Sequence, residues 1–283
     1  MATENHVGRF APSPTGPLHF GSIVAAAASY LFAKSQDGKW LLRIEDVDEG
    51  RTESGAISSI IETIAALGME WDGEIVFQSR RKHLYRDALQ AIHDFTYPCS
   101  CSRRDVTGIY SGKCRKGAAG EARSIRVRVE DEVLSFQDMI RGEQSQNLAK
   151  EAGDFVLFRA DGYFSYQFAV VVDDHEQGVN QVVRGADLLD STPRQIHLQR
   201  LLGYDTPIYA HLPLALNSQG EKLSKQNLAE PVDAGTEVLF DALEFLGQAP
   251  PIELREGSIQ EFWKWAIQNW KIENIPKEDR YCR

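Results

Sequence analysis

Apolar residues at Ile57, Ile60, Ile61, Ile64 and Leu67 recur at the spacing of one helix face and end at Gly68. Ser54 to Leu67 is therefore expected to be an amphipathic helix with a glycine stop. Gln78-Ser79 leads into a second such stripe, Leu84, Tyr85, Ala88, Leu89 and Ile92, which predicts a helix from about Arg81 to His93. A third comprises Ile259, Phe262, Trp263, Ala266, Ile267 and Trp270, with Ser258 and Glu261 spaced as a capping box. Its tryptophans are read as core rather than as a base-stacking platform. Shorter apolar runs at Val7 to Phe10, Trp40 to Ile44, Tyr166 to Asp174 and Gln181 to Gly185 read as buried strands. Helices are expected at Ser22 to Lys34, Pro193 to Leu202 and Thr236 to Leu246. Strands alternating with helices predict an α/β fold on a parallel sheet.

From Tyr97 the texture changes. Ser124 to Val129 alternates with period two, and Glu132 to Gln137 could pair with it as a hairpin. Phe155 to Arg159 and Tyr163-Phe164 flank Asp161-Gly162, a second hairpin signal. The pattern divides the chain into a first half of the sheet domain (1–96), a β-rich insertion (97–160), a second half (161–230) and a C-terminal helical region (231–283). No internal repeat or low-complexity stretch interrupts it.

The composition, 42% hydrophobic and 25% charged over 283 residues, is that of an ordinary globular chain. A net charge of -10 argues against a generic polyanion binder, so any nucleic-acid partner requires basic residues gathered on one face. Arg80, Arg81, Lys82, Arg103, Arg104, Lys113, Arg115 and Lys116 are the candidates, and a merely solvated face is the alternative. Met1 to Val7 contains no apolar signal core, and Ile23 to Ala33 is too short to span a bilayer. A cytoplasmic chain without a membrane partner is expected, in which four cysteines serve as ligands or free thiols, Cys282 among the latter.

The candidate chemistry starts at Arg9 to Ser22, a strand-to-helix connection stiffened by Pro12 and Pro14, with Gly16 and Gly21 permitting close backbone approach. The helix after it offers free N–H groups and a positive dipole end, and His19 adds a donor. Glu45, beyond the second strand, is placed to bind a substrate ammonium group, whereas Asp48 is read as a helix cap. Arg184, at the end of another strand, can fork onto a carboxylate. His83 and His93 read as surface residues. Cys99, Cys101 and Cys114 suggest a zinc knuckle, with Tyr110, Asp105, a histidine or water as fourth ligand; spacing alone leaves three unligated thiols equally open.

Gly220 to Gln226 contains Lys222-Leu223-Ser224-Lys225. With Arg9 to Ser22 and Val183 to Gln195, it resembles the paired signatures of class I aminoacyl-tRNA synthetases, in the glutamyl branch. The resemblance implies a Rossmann-like parallel sheet, a zinc-containing insertion that grips RNA, and ATP-dependent activation of L-glutamate with magnesium carried by ATP. It implies His19 and Lys225 as catalytic residues, and His19, Gly21, Ser22, Lys222, Ser224 and Lys225 as the ATP site. Arg9, Phe10, Ala11, Pro12, Ser13, Glu45, Tyr166 and Arg184 are the implied glutamate pocket, and Tyr110 the fourth ligand of a structural zinc. Ser22 departs from the family pattern, which has a second histidine there, and Leu223 replaces a methionine.

The stretch after Lys225 is too short for the usual anticodon-binding domain. That shortness, with the Cys-x-Cys insert and Ala186 to Gln195, resembles the glutamyl-Q tRNA(Asp) synthetase family. Its implied reaction is tRNA-independent glutamate activation, then transfer to queuosine in tRNA(Asp), by a monomer. A minimal glutamyl-tRNA synthetase charging a 3' end and a non-catalytic paralogue are the alternatives, the latter opposed by intact His19, Lys222 and Lys225.

Overall fold

The computed structural model describes residues 6–217, 219–220 and 234–281. Lys222, Ser224 and Lys225, the Arg103 side chain and Cys282 lie outside the described residues. The first half of the chain supplies β1 (Val7–Phe10), α1 (Phe20–Lys34), β2 (Lys39–Ile44), α2 (Ala56–Ala66), β3 (Val76–Phe77) and α3 (Lys82–Ala91). β4 (Thr96–Cys99), β5 (Ser124–Val127), β6 (Val133–Asp138), β7 (Gly142–Asn147), α4 (Leu148–Glu151) and β8 (Val156–Phe158) come next. The second half is α5 (Tyr166–Glu176), β9 (Gln181–Gly185), α6 (Thr192–Leu202), β10 (Ile208–Leu212) and β11 (Ala215–Leu216), then α7 (Thr236–Phe245), α8 (Ile259–Asn269) and β12 (Arg280–Tyr281).

A seven-stranded sheet runs β3-β2-β1-β9-β10-β6-β7, parallel throughout except for β6 against β7. The strand order reverses between β1 and β9, where Gly8 pairs with Gln181. In an open α/β sheet a ligand crevice forms at that switch point, because the connections leave to opposite faces. α1 is buried from Ile23 to Ala33 except at the cavity-lining Ala25, and packs between the sheet and α7. α8 closes the same core: Trp263 is 5% exposed, and its indole N–H donates to the Leu67 carbonyl at 2.8 Å. Ser258 and Glu261 cap α8 reciprocally, as their spacing predicts. Among the described residues, no helix is long and apolar enough to cross a membrane.

Two expectations are overturned. Tyr166 to Asp174 is not a strand but the first nine positions of α5. Phe168 through Asp174 are all buried, because α5 packs between α3 and α6, so no polar face remains to reveal the helical period. Nor does Val133–Asp138 pair with the strand at Ser124: both edges of β5 are taken, by β4 and β8. It pairs instead with Gly142–Asn147, a polar strand without apolar alternation, and runs parallel to β10. The range 97–160 is thus not one insertion, since its β6–β7 hairpin forms the edge of the main sheet. The Phe155 to Phe164 hairpin is present in outline, with Phe158 bridging to Phe164 antiparallel.

Candidate active site

Arg9 on β1 and Arg184 on β9 flank the switch point, and both line a cavity of about 710 Å³. Phe10, Ala11, Pro12, Ser13, His19, Gly21, Ser22, Glu45 and Tyr166 line the same cavity. All the expected pocket and ATP-site residues that are described are therefore neighbours in space. Thr15 and Asp187, inside the motif segments but given no role there, also line it, as do Arg51 and the Leu212–Ala215 segment, which no motif marked. The last follows β10 and carries no motif of its own. Only its place in the chain, shortly before the Lys222 motif, could have signalled it.

The connection after β1 is pinned at both ends. Glu45 N–H donates to the Pro12 carbonyl at 3.0 Å, and Glu53 N–H to that of Pro14 at 2.9 Å. Gly16 sits at φ 121°, a backbone conformation that an L side chain would strain. α1 then begins with His19 as extended N-cap, without a side-chain cap and without an acidic residue in its first turn. Ser22 and Ile23 N–H donate to the His19 carbonyl at 2.8 and 3.1 Å, which leaves the Phe20 and Gly21 N–H groups and the positive dipole end of this 15-residue helix as an anion seat at the cavity wall. A Cβ added at Gly21 would stand 3.2 Å from the His19 ring, so the glycine leaves room for the imidazole.

Behind the cavity lies a buried charge cluster. Arg9 Nε donates to Asp174 Oδ1 at 3.1 Å, and Arg43 Nη2 donates to the same oxygen at 2.7 Å. Arg43 also reaches Glu45 Oε1 at 3.4 Å and Gln177 at 2.7 Å. Burial opposes ionisation of Asp174, but the facing guanidinium groups of Arg9 and Arg43 outweigh it and hold the carboxyl below its usual range. For Glu45 the balance reverses: burial dominates over Arg43 and Arg9 and pushes the carboxyl up to about 7. A buried acid of that kind gains from a bound cation, such as an ammonium group.

Arg184 is held from behind. Its Nη2 donates to Thr192 Oγ1 at 2.8 Å and its Nε to His211 Nε2 at 3.1 Å, while Nη1 is buried with no partner among the described residues. His211 Nδ1 lies 2.6 Å from Asp138 Oδ2. Asp48 departs from its expected role as a helix cap: its side chain caps nothing and pairs with Arg159 at 2.5 Å.

The three cysteine sulfurs lie within 4.8 Å of one another. Cys101 and Cys114 are 3.6 Å apart, and Tyr110 Oη is 3.4 Å from Cys99 Sγ and 3.7 Å from Cys101 Sγ. Tetrahedral zinc with bonds of about 2.3 Å sets sulfurs about 3.8 Å apart, so three thiolates and one phenol oxygen fit such an ion. Asp105 is turned away, accepting from Ser102 N and Oγ at 2.7 Å each, and no histidine joins the cluster among the described residues. Arg126 supports it from outside, with Nε donating to Cys99 Sγ at 3.4 Å and its guanidinium 3.9 Å from the Tyr110 ring centre. Two of the expected basic-face residues are used internally: Arg81 pairs with Asp173 and Arg115 with Asp154, both at 2.6 Å. His83 and His93 are exposed, as expected.

Residues 6–237 match the family model of class I tRNA synthetases (E and Q), catalytic domain. The glutamyl-Q tRNA(Asp) synthetase of Aromatoleum aromaticum is 50% identical over 292 residues, covering 98% of this chain and 92% of that protein. That of Geobacter sulfurreducens is 49% identical, covering 95% of this chain and 93% of its own. Among solved structures, the glutamate-tRNA synthetase of Elizabethkingia anophelis superposes with a TM-score of 0.81 at 27% identity, over 99% of this chain and 68% of that one. A glutamate tRNA ligase from Elizabethkingia meningosepticum, solved in complex with its amino acid, gives 0.81 at 28%, over 98% and 67%. Matched almost end to end by relatives of one name, on a fold shared with solved glutamate-tRNA synthetases, the chain belongs to the glutamyl-Q tRNA(Asp) synthetase family of class I ligases.

Proposed function

We propose that the chain activates L-glutamate with ATP, without tRNA, and transfers the glutamyl group to queuosine in the anticodon loop of tRNA(Asp). The observation that carries the activation step is the pair of buried arginines, Arg9 and Arg184, in one cavity with Glu45 and the start of α1. The arginines bind the side-chain carboxylate, Glu45 the α-ammonium, and Ser13 and Tyr166 complete the pocket. An uncharged glutamine side chain would leave the Arg184 guanidinium, whose side-chain partners Thr192 and His211 carry no negative charge, without a counter-charge, which favours glutamate.

The α-carboxylate then attacks the α-phosphorus, the bond to the β-phosphate breaks, and pyrophosphate leaves with its electron pair. Charge grows on the phosphate oxygens, where the α1 N–H groups and His19 stand, with Gly21 and Ser22 allowing close approach. Lys222, Ser224 and Lys225, outside the described residues, are assigned to the same phosphates. Magnesium carried by ATP would supply positive charge for the leaving pyrophosphate. In the second step a queuosine hydroxyl oxygen bonds to the glutamyl carbonyl carbon, its proton is released, and AMP leaves. Cys99, Cys101, Tyr110 and Cys114 hold a structural zinc. We assign the enzyme to the cytoplasm as a monomer, where ATP and tRNA are at hand.

Support for the acceptor comes from the names of the relatives; the likeness to glutamate-tRNA synthetases favours 3'-end charging as the second reading. Labelled glutamate offered to tRNA(Asp) with and without queuosine separates the two, each tRNA being compared with a periodate-treated sample. Labelling confined to queuosine-containing tRNA and lost on pretreatment supports base modification. Equal labelling of queuosine-free tRNA would overturn it.

A further inference from the structure

Two fully buried polar residues that the proposed chemistry leaves unused, Asp138 and His211, stand behind Arg184 and outside the cavity lining. Asp138 ends β6. Its Oδ1 accepts the backbone N–H groups of Arg141, Ile140 and His211, at 2.8, 3.0 and 3.3 Å. Its Oδ2 faces His211 Nδ1 at 2.6 Å. The other ring nitrogen, Nε2, faces Arg184 Nε and Thr192 Oγ1, each at 3.1 Å. An arginine Nε carries a hydrogen and cannot accept, so His211 Nε2 must be the acceptor and the ring proton must sit on Nδ1, donated to Asp138. Burial, joined by the Arg184 charge, holds His211 below its ordinary pKa, in keeping with a neutral ring.

The geometry points to Asp138 and His211 as positioning residues for glutamate: Asp138 fixes the His211 tautomer, and His211 then grips Arg184 Nε and so sets the orientation of the guanidinium at the cavity wall. Thr192 completes the grip by accepting from Nη2. The β6–β7 hairpin thereby enters the specificity pocket without touching the ligand. This inference rests on the reading of Arg184 as a ligand of the glutamate side chain.

Asp138→Asn is an incisive variant because it is isosteric. Its amide oxygen stays with the three backbone donors, and its NH2 turns toward His211 Nδ1. The ring must then accept at Nδ1 and carry its proton on Nε2, where donor would meet donor at Arg184 Nε. Glutamate-dependent pyrophosphate exchange on the full chain reads the result. Arg184→Gln should raise the glutamate KM about a hundredfold. Asp138→Asn and His211→Leu should raise it about tenfold, with the ATP KM and kcat within about twofold. His211→Gln, whose amide oxygen can still accept from Nε, should stay within about threefold. If Arg184→Gln raises the glutamate KM while Asp138→Asn leaves it unchanged, the positioning role is wrong and the pocket reading survives. An unchanged KM in Arg184→Gln overturns both. Should His211→Leu fail to fold, Asp138→Asn decides alone, and an equal rise in both KM values there would mean a general structural role and overturn the inference.

Discussion

Asp174 on α5 accepts from Arg9 on β1 over 3.1 Å, so a cavity-lining arginine is oriented from a helix 165 positions away in sequence. The same oxygen serves Arg43, whose side chain is 0% exposed. Removing the carboxylate leaves Arg43 with one weak contact to Glu45 and a neutral amide. Asp174→Ala should therefore cost about 3–5 kcal/mol in urea unfolding and weaken glutamate binding as well. A loss below about 1 kcal/mol would mean that water or Glu45 replaces it easily.

Glutamate binding should depend on pH through Glu45. Burial raises this carboxyl to about 7, so in the free enzyme it is protonated below that pH and cannot pair with an ammonium group. The kcat/KM for glutamate in pyrophosphate exchange should fall as pH drops through 7, approaching about tenfold per pH unit. Glu45→Gln should lower kcat/KM and flatten the profile in this range. An unchanged inflection in that variant would assign the titration to another group.

Gly21→Ala tests the His19 position without touching the core. The new Cβ would meet the imidazole at 3.2 to 3.3 Å, while alanine in the first turn of α1 is neutral or favourable by up to about 1 kcal/mol. Pyrophosphate exchange should drop about tenfold at unchanged or raised Tm. Full activity would show that the imidazole need not stand where it does.

Metal analysis of the purified chain should find about one zinc per molecule, and Cys101→Ser should lower it. Chelation should expose residues near 100–120 to protease before the seven-stranded sheet, because the knuckle is held by its ligands and by Asp154. That carboxylate, 1% exposed, accepts from Tyr97, Arg115 and the Val129 N–H. Absence of zinc, with the knuckle intact to protease, would make this hydrogen-bonded anchor sufficient by itself.

Local patterns were enough to locate β1, β2, β9, α2, α6 and α8, because period, glycine stops and capping residues act over a few positions. The cavity-lining set came from the resemblance of Arg9 to Ser22 and Val183 to Gln195 to family signatures, with Glu45 just past β2 and Arg184 near the end of β9. Two kinds of feature were hidden. α5 is buried all round, which erases the period that separates helix from strand, and β7 is polar along both faces.

Chain order and local pattern alone carried the alternating α/β plan, the motif loop that follows β1 and the residue types proposed here for an amino-acid pocket. Only the tertiary structure decided that β6 joins the main sheet, that Asp174 reaches Arg9, and that Asp138 and His211 stand behind Arg184. The reason is physical. A helix turn or cap is settled by neighbours three or four positions apart, whereas a strand partner or buried counter-ion is chosen by whatever the whole chain brings alongside, here across 27 to 165 positions.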